Sequence, residues 1–258
     1  MTKRILNRVM CRIDVVMGPR KKQILKTMGI PVWTAHRNIA DQNQLETDLT
    51  EDSACLVEST LLDSASSFSA QPAVDAWPLL RQEVSQCTAC ELHQSRSQTV
   101  FGVGDQQANL MIIGEAPGED EDLSGEPFVG PAGHLLNQML FALGFSRENV
   151  FISNILKCSP PDNRKPLLSE IETCSTFLLR QIALIKPKVI LCVGAVSAKN
   201  LLRSNERIGK LRGQVMIHAQ TSTPLIATYH PAYLLRKPTE KRAVWSDLLL
   251  VKKILAES

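Results

Sequence analysis

The chain has 258 residues and a formal net charge of +3, a length that accommodates one large domain with an extension or two domains. No apolar run is long enough to span a membrane, and charges interrupt the first twelve residues too often for a signal peptide. We therefore expect a soluble cytoplasmic protein that binds no membrane. In that compartment thiols stay reduced, so clustered cysteines favour metal binding or catalysis over disulfides.

The first 80 residues are unevenly charged. Residues 1–40 hold nine Lys or Arg and one acid, whereas residues 41–86 hold nine acids and one Arg. Such blocks are typical of tails rather than of packed structure. We interpret residues 1–40 as a basic tail and residues 41–80, which are rich in Ser and Ala, as an acidic linker. The prediction is a mostly disordered N-terminal extension followed by a folded domain over 81–258.

A short helix is predicted within the tail, with Ile24, Leu25 and Met28 on one side and a stop at Gly29. The stretch L-K-T-M-G-I-P-V-W resembles the N-terminal arm by which the psi subunit of bacterial DNA polymerase III holds its clamp loader. That resemblance implies that residues 1–40 dock to a replication or repair protein. The alternative is a basic tail that contacts acidic surfaces or nucleic acid without specificity.

From residue 108 onward, apolar runs alternate with helical patterns. The runs A-N-L-M-I-I-G, V-F-I-S-N-I-L-K, K-V-I-L-C-V-G and P-L-I-A-T-Y-H are typical of buried strands, and a helical stretch follows each. This alternation predicts an α/β fold of three layers, α/β/α, with a mostly parallel central sheet. Ligands in such sheets bind beyond the carboxyl ends of the strands. The loops after the first, second and last runs are therefore the candidate site.

The first of these loops, G-E-A-P-G at 114–118, lets the backbone approach a ligand closely. Five acids follow among residues 119–126. They form either a solvated helix entrance or a source of a carboxylate that orients water or hydrogen-bonds a ligand. Phe128, in the same loop, is either a core residue or a ring that stacks on a planar ligand.

Two polar residues lie in the other two runs. Asn154 lies inside an apolar run, where an unpaired amide costs about 1–3 kcal/mol. It must bond to the backbone or to something that enters the site. His230 precedes Pro231, which stiffens the turn, and is either structural or catalytic. The pair Cys87 and Cys90 is a redox dithiol, half of a metal site or a coincidence.

Three motifs in order carry a family resemblance: G-E-A-P-G-x2-E-D-x2-G-x-P-F-V-G-x-A-G-x-L-L, N-I-L-K-C-x-P-P-x-N-R-x-P and H-P-A-Y-L-L-R. They resemble those of the family 4 uracil-DNA glycosylases, from about Cys87 to the end of the chain. The resemblance implies a DNA glycosylase that hydrolyses deoxyuridine in DNA, leaves an abasic site and begins base-excision repair at the nucleoid. We expect a monomer. A rival reading is a weakly catalytic protein of this fold that binds uracil-containing or single-stranded DNA.

The resemblance also implies roles for single residues. Phe128 stacks under uracil, Asn154 hydrogen-bonds its Watson–Crick edge, and His230 hydrogen-bonds the uracil oxygen O2 as charge develops there. Backbone N–H groups of the loop from Glu115 to Gly118 approach the base or the water.

One position departs from the best-studied branch of the superfamily. Ala116 stands where that branch has an aspartate that positions the water. We hypothesise that Glu121 takes this role. Glu115 or the backbone alone are the alternatives.

The contacts with DNA are predicted after the last strand and beside the second loop. Leu234, four residues after His230, is the predicted wedge that fills the space of the flipped nucleotide. Its alternative is a core position, with Leu235 as the substitute wedge. Arg164 and Arg236 are predicted phosphate contacts or else part of a solvated basic rim.

Family 4 carries a [4Fe-4S] cluster on four cysteines, and this chain has a match for each. Cys87 and Cys90 form the first pair, Cys158 follows after 67 intervening residues, and Cys174 after 15 more. Four thiolates can hold zinc or an iron–sulfur cluster, and their number does not separate the two. The resemblance implies the cluster, with a mainly structural role. A zinc-stabilised enzyme for another nucleotide substrate is the remaining alternative.

Overall fold

The computed structural model describes residues 76–257. The predicted basic tail, its docking helix and most of the acidic linker lie outside the described residues. The first described helix begins at Ala76, inside the predicted linker and ahead of the predicted domain start at residue 81. Trp77 and Leu80, on the buried side of this helix, already belong to the core.

Within the described residues, helices and strands alternate along much of the chain. The helices are α1 Ala76–Ser85, α2 Glu119–Ser124, α3 Pro131–Leu143, α4 Leu168–Ile185, α5 Ala195–Leu202, α6 Ile208–Leu211, α7 Pro231–Arg236 and α8 Lys241–Glu257. The strands are β1 Val103–Gly104, β2 Leu110–Gly114, β3 Phe151–Asn154, β4 Val189–Val193, β5 Val215–Ile217 and β6 Pro224–Thr228.

The strands form one six-stranded sheet in the order β1-β3-β2-β4-β6-β5. The four inner strands are parallel, and β1 and β5 pair antiparallel at the two edges. Gly114 and Asn154 are register partners at the ends of β2 and β3. Because the inner strands are parallel, their carboxyl ends meet at one edge of the sheet. The prediction of a mostly parallel sheet is confirmed.

Helices cover both faces of the sheet. In β2, Met111 and Ile113 join an apolar cluster with residues of α1, α4 and α5, whereas Leu110 and Ile112 join a second cluster with residues of α3 and α8. Adjacent residues of a strand point to opposite faces, so a strand that is apolar throughout is buried on both. The three-layer α/β/α prediction is confirmed. Among the described residues, no helix combines the length and apolar character needed to cross a membrane.

Two helix starts place functional loops at the carboxyl edge. Helix α3 begins with Pro131 at its first position, directly after the loop that carries Phe128. Helix α7 begins after His230, whose imidazole accepts the N–H of Ala232 and so caps the helix. Each loop is therefore fixed by the helix that follows it.

Candidate active site

A cavity of about 520 Å³ lies at the carboxyl edge of the sheet. All three predicted loops line it, and the predicted residues among its lining are Glu115, Ala116, Gly118, Glu121, Phe128, Asn154, Arg164, His230 and Arg236. A larger cavity of about 620 Å³ lies between α4 and α5, but none of these residues lines it. The chemistry-bearing side chains therefore select the smaller cavity.

Asn154 presents an unsatisfied acceptor at this cavity. The residue is 2% exposed, and its Oδ1 is buried without a hydrogen-bond partner in the structure. A buried acceptor left unpaired costs about 1–3 kcal/mol. Such an atom at the wall of a cavity is placed to accept a bond from a ligand.

Gly114 makes room for the Asn154 amide. A Cβ added at Gly114 would lie 2.2 Å from Asn154 Oδ1 and 2.7 Å from Phe128 Cζ. Only a residue without a side chain fits between the amide and the ring. The sequence predicts only that this glycine, as part of G-E-A-P-G, lets the backbone approach a ligand. Its steric role depends on residues distant in the chain.

The Phe128 ring forms one wall beside the imidazole of His230. Their ring centroids lie 5.7 Å apart, with the planes inclined by 28°. The Phe128 side chain is 6% exposed, and its backbone has a φ of 56°. A left-handed φ is costly for a non-glycine residue and often marks functional loops.

The His230 imidazole is neutral and has a fixed tautomer. Burial, and to a lesser extent the charge of Arg236, lower the pKa of His230 to about 4, while the charge of Glu121 opposes this shift. Because the N–H of Ala232 donates to Nδ1 at 3.2 Å, the ring proton sits on Nε2. His230 therefore offers one neutral N–H donor on the ring nitrogen that is not used for the cap.

Glu121 binds the backbone of two loops. One carboxylate oxygen accepts the Gly118 N–H at 2.9 Å, and the other accepts the N–H groups of Val129 at 3.0 Å and Gly130 at 3.4 Å. These three bonds join the loop after β2 to the loop before α3. They leave Glu121 poorly placed to position water as well, which differs from the role hypothesised for it.

Glu115 lines the same cavity with a freer carboxylate. The Glu115 side chain is half-buried, and within residues 76–257 no group donates a hydrogen bond to its carboxylate. Burial raises the pKa of Glu115, and the charge of Lys165 lowers it in part.

The two candidate wedge residues differ in their exposure. Leu234 is 1% exposed and packs in the apolar cluster beneath α8, whereas Leu235 is 47% exposed. Helix α7 turns Leu234 toward the core, which does not suit a residue that enters DNA, and the substitute, Leu235, is the accessible leucine of that helix.

The two predicted phosphate contacts differ in their partners. Arg164 lines the cavity and forms a two-pronged ion pair with Glu170, at 2.6 and 3.0 Å. Arg236, at the end of α7, lines the cavity and is exposed.

The four predicted cluster ligands line one small second cavity, and they are Cys87, Cys90, Cys158 and Cys174. The Arg96 guanidinium donates to Cys158 Sγ at 2.9 Å, and the Lys157 backbone N–H donates to Cys174 Sγ at 3.3 Å. Within the described residues, no group of three or more His, Cys, Asp or Glu is arranged to hold a metal ion. Cys192 is buried in β4.

Lys157 connects the cysteine cavity with the Asn154 strand. It is 1% exposed, and its ammonium donates to Ser153 Oγ at 2.6 Å, to the Asn154 carbonyl at 2.8 Å and to Gln181 Oε1 at 2.7 Å. All three acceptors are neutral. Burial lowers the pKa of Lys157 to about 7, and the negative charges of Cys174 and Cys158 oppose that shift. The role of Lys157 is not predictable from the sequence, because a lysine in an apolar run gives no sign of its partners.

Residues 101–249 match the family model described as "Uracil DNA glycosylase superfamily". That match spans more than half of the chain.

Similar proteins show which family within this superfamily the chain belongs to. A protein from Archaeoglobus fulgidus named "Type-4 uracil-DNA glycosylase" is 41% identical over 172 residues, which is 64% of this chain and 86% of that protein. One of the same name from Thermotoga maritima is 39% identical over 180 residues, 69% of this chain and 93% of that protein. A "Type-5 uracil-DNA glycosylase" from Pyrobaculum aerophilum is 28% identical over 148 residues, 51% of this chain and 64% of that protein. The chain belongs to the type-4 uracil-DNA glycosylase family.

Proposed function

We propose that this protein releases uracil from DNA by hydrolysing the bond between the base and deoxyribose, which begins base-excision repair. The observation that carries this function is the buried, unpaired Oδ1 of Asn154 at the cavity wall. The names of the type-4 relatives support the same activity and do not favour the weakly catalytic binding protein.

Uracil recognition follows from the walls of the cavity. The N3–H of a flipped uracil donates to Asn154 Oδ1, and the amide N–H donates to the uracil oxygen O4. Cytosine presents an acceptor at N3 and a donor at the neighbouring position, so both contacts become repulsive. Phe128 stacks on the base and holds it in this plane.

The His230 N–H stabilises the departing base. As the bond from C1′ to N1 breaks, its electron pair moves onto uracil and charge collects at O2. A fixed neutral donor at that oxygen stabilises the transition state by about 3–4 kcal/mol, the magnitude measured for donors in oxyanion holes. The low pKa of His230 keeps the imidazole neutral at pH 7, so no proton has to be transferred for this role.

Water attacks the cationic sugar from a position that a carboxylate orients. Glu115 suits this role better than Glu121, because the Glu121 oxygens already accept three backbone N–H groups. Water bonds to C1′ and gives its proton to the carboxylate or to solvent. Ala116 supplies no polar group, so the water depends on Glu115 and on nearby backbone N–H groups.

We propose that the four cysteines hold a [4Fe-4S] cluster. Lys157 fits this group, because a buried ammonium with only neutral acceptors needs nearby negative charge, which cluster thiolates provide. The N–H bonds from Arg96 and Lys157 to the sulfurs fit ligated thiolates. When bound, the cluster supplies iron–thiolate bonds that tie the segment 87–90 to the loop at 158 and to α4.

The location, the oligomeric state and the partners of the protein also stay proposals. We propose action in the cytoplasm at the nucleoid, on uracil-containing DNA, by a monomer. Docking to a replication or repair protein through residues 1–40 stays a prediction, since those residues lie outside the described part of the chain.

The recognition step is tested with two oligonucleotides, one with deoxyuridine and one with N3-methyldeoxyuridine. The protein is expected to release uracil and to leave the methylated base, because methylation removes the proton that Asn154 Oδ1 accepts. Equal release of both bases contradicts the role of Asn154. Iron and acid-labile sulfide per chain, measured after anaerobic purification, test the cluster, and one zinc per colourless chain contradicts it.

A further inference from the structure

The loop that carries the stacking ring, residues 127–130, is held from two sides by opposite charges. On one side the Glu121 carboxylate accepts the N–H groups of Val129 and Gly130. On the other side Arg147 donates from Nη2 to the Pro127 carbonyl at 2.7 Å and from Nη1 to the Phe128 carbonyl at 3.1 Å. The Glu121 carboxylate thus binds the N–H groups of the loop, and the Arg147 guanidinium binds its carbonyl groups.

This loop needs such support, because Phe128 has a left-handed backbone with a φ of 56°. That conformation costs an L-residue roughly 1–2 kcal/mol and persists only where the surroundings fix it. A Cβ added at Gly133 would lie 1.8 Å from the Phe128 carbonyl oxygen. The carbonyl therefore lies directly against the backbone of α3, and Arg147 binds it there.

Arg147 is itself fixed. It begins the short 3₁₀ turn Arg147–Asn149 ahead of β3, and its Nη1 also donates to Asn137 Oδ1 of α3 at 3.3 Å. The guanidinium is a planar fork of donors that serves two carbonyls at once, which an ammonium does not reproduce. The side chain is half-buried and does not line the uracil cavity, so it acts through the loop and not on the base.

We propose that Arg147 is a positioning residue that sets the plane of the Phe128 ring and thereby the affinity of the site for a flipped uracil. Without the guanidinium, two carbonyls lose their donors and the strained Phe128 peptide relaxes, which turns the ring out of its stacking position. This inference rests on the proposed function, since it needs uracil as the base that stacks.

The inference predicts a loss in base binding. Stacking contributes about 1–3 kcal/mol per base, so misplacing the ring weakens uracil binding about tenfold. We expect Arg147→Met to raise the inhibition constant of free uracil about tenfold and to lower kcat/KM by a similar factor. The rate at saturating substrate falls less, because His230 and Glu115 are untouched. Arg147→Lys keeps the charge but loses the two-donor fork, so its inhibition constant for uracil is expected to lie between those of Arg147→Met and the unchanged protein.

The test compares Arg147→Met in the full chain and in a Phe128→Ala background. If Arg147 acts through the ring, Arg147→Met leaves the uracil inhibition constant unchanged once the ring is gone. Arg180→Met is the matched control, because this arginine pairs with Glu83 on the surface away from the cavity. Unfolding midpoints are measured for all variants. If Arg147→Met does not fold, the same comparison with and without the Phe128 ring is made with Arg147→Lys.

Two results overturn the inference: an unchanged inhibition constant in the folded variants, or an equal loss with and without the Phe128 ring. The second result shows a general structural role. Failure of the unchanged protein to release uracil defeats the proposed function instead, so the two failures are distinguishable.

Discussion

Gly114→Ala tests the geometry of the uracil pocket most sharply. The new methyl group would lie 2.2 Å from Asn154 Oδ1 and 2.7–2.8 Å from two atoms of the Phe128 ring. Carbon–oxygen and carbon–carbon contacts need roughly 3.3–3.8 Å. The amide and the ring must therefore each move by about 1 Å, and a displacement of that size costs on the order of 100-fold in rate.

The assay is single-turnover release of uracil from a labelled oligonucleotide, with the unfolding midpoint measured in parallel. Overpacking destabilises the fold by about 1–3 kcal/mol, and the loss in kcat/KM is expected to be about 100-fold. Gly209→Ala is the matched control, since its Cβ meets no atom closer than 3.8 Å. In an Asn154→Ala background the clash with the amide disappears, and Gly114→Ala is expected to cost much less. A Gly114→Ala protein with undiminished kcat/KM refutes this account of the pocket.

Two further predictions follow from the site. Because the pKa of His230 is about 4, uracil release at constant DNA binding should hold from pH 7 down to about 5 and fall toward pH 4. The unfolded imidazole has a pKa near 6.5, so the stability that depends on a neutral His230, about 3 kcal/mol, is present above that pH and is lost as pH falls toward 4. Urea titrations of the protein and of His230→Gln measure the free energy of unfolding at each pH. Equal slopes of this free energy against pH in the two proteins contradict the prediction. Leu234→Ala should lower the free energy of unfolding by about 2–5 kcal/mol. Leu235→Ala should change it by no more than about 0.5 kcal/mol and should reduce uracil release from duplex DNA more than from single-stranded DNA. A loss of release from duplex DNA in Leu234→Ala and not in Leu235→Ala identifies Leu234 as the wedge.

The sequence predicts the inner part of the fold well, because its signals are local. Four apolar runs contain the four parallel strands, and helix α5, Ala195–Leu202, follows the third of them, as the alternation predicts. The edge strands β1 and β5 escape prediction, since they have two and three residues and carry no fully buried position. Their pairing depends on neighbours distant in sequence.

The site shows a similar division. Asn154 and His230 are predictable because a polar residue within an apolar run must have a partner. The roles of Glu121 and Leu234 are not, because they depend on which way a short helix turns its side chains. Helix α2 directs Glu121 to backbone N–H groups, and α7 directs Leu234 to the core.

Arg147 and Gly114 mark a further limit of sequence reasoning. Their importance lies in contacts across the chain, Arg147 with carbonyls 19 and 20 residues away and Gly114 with the strand beside it. No spacing rule within one motif connects these positions. Only the packed structure shows that an arginine outside the cavity binds the loop that carries a ring inside it.

The central claim is that the buried Asn154 amide reads uracil for excision. The most direct measurement is single-turnover cleavage of an oligonucleotide with one deoxyuridine, followed by alkali, for the unchanged protein, Asn154→Ala and the control Asn200→Ala on α5. The account predicts alkali-labile strands from the unchanged protein and from Asn200→Ala, and a rate at least about 100-fold lower for Asn154→Ala. An unchanged protein that binds the strand and leaves no alkali-labile site, or an Asn154→Ala protein of full rate, contradicts it.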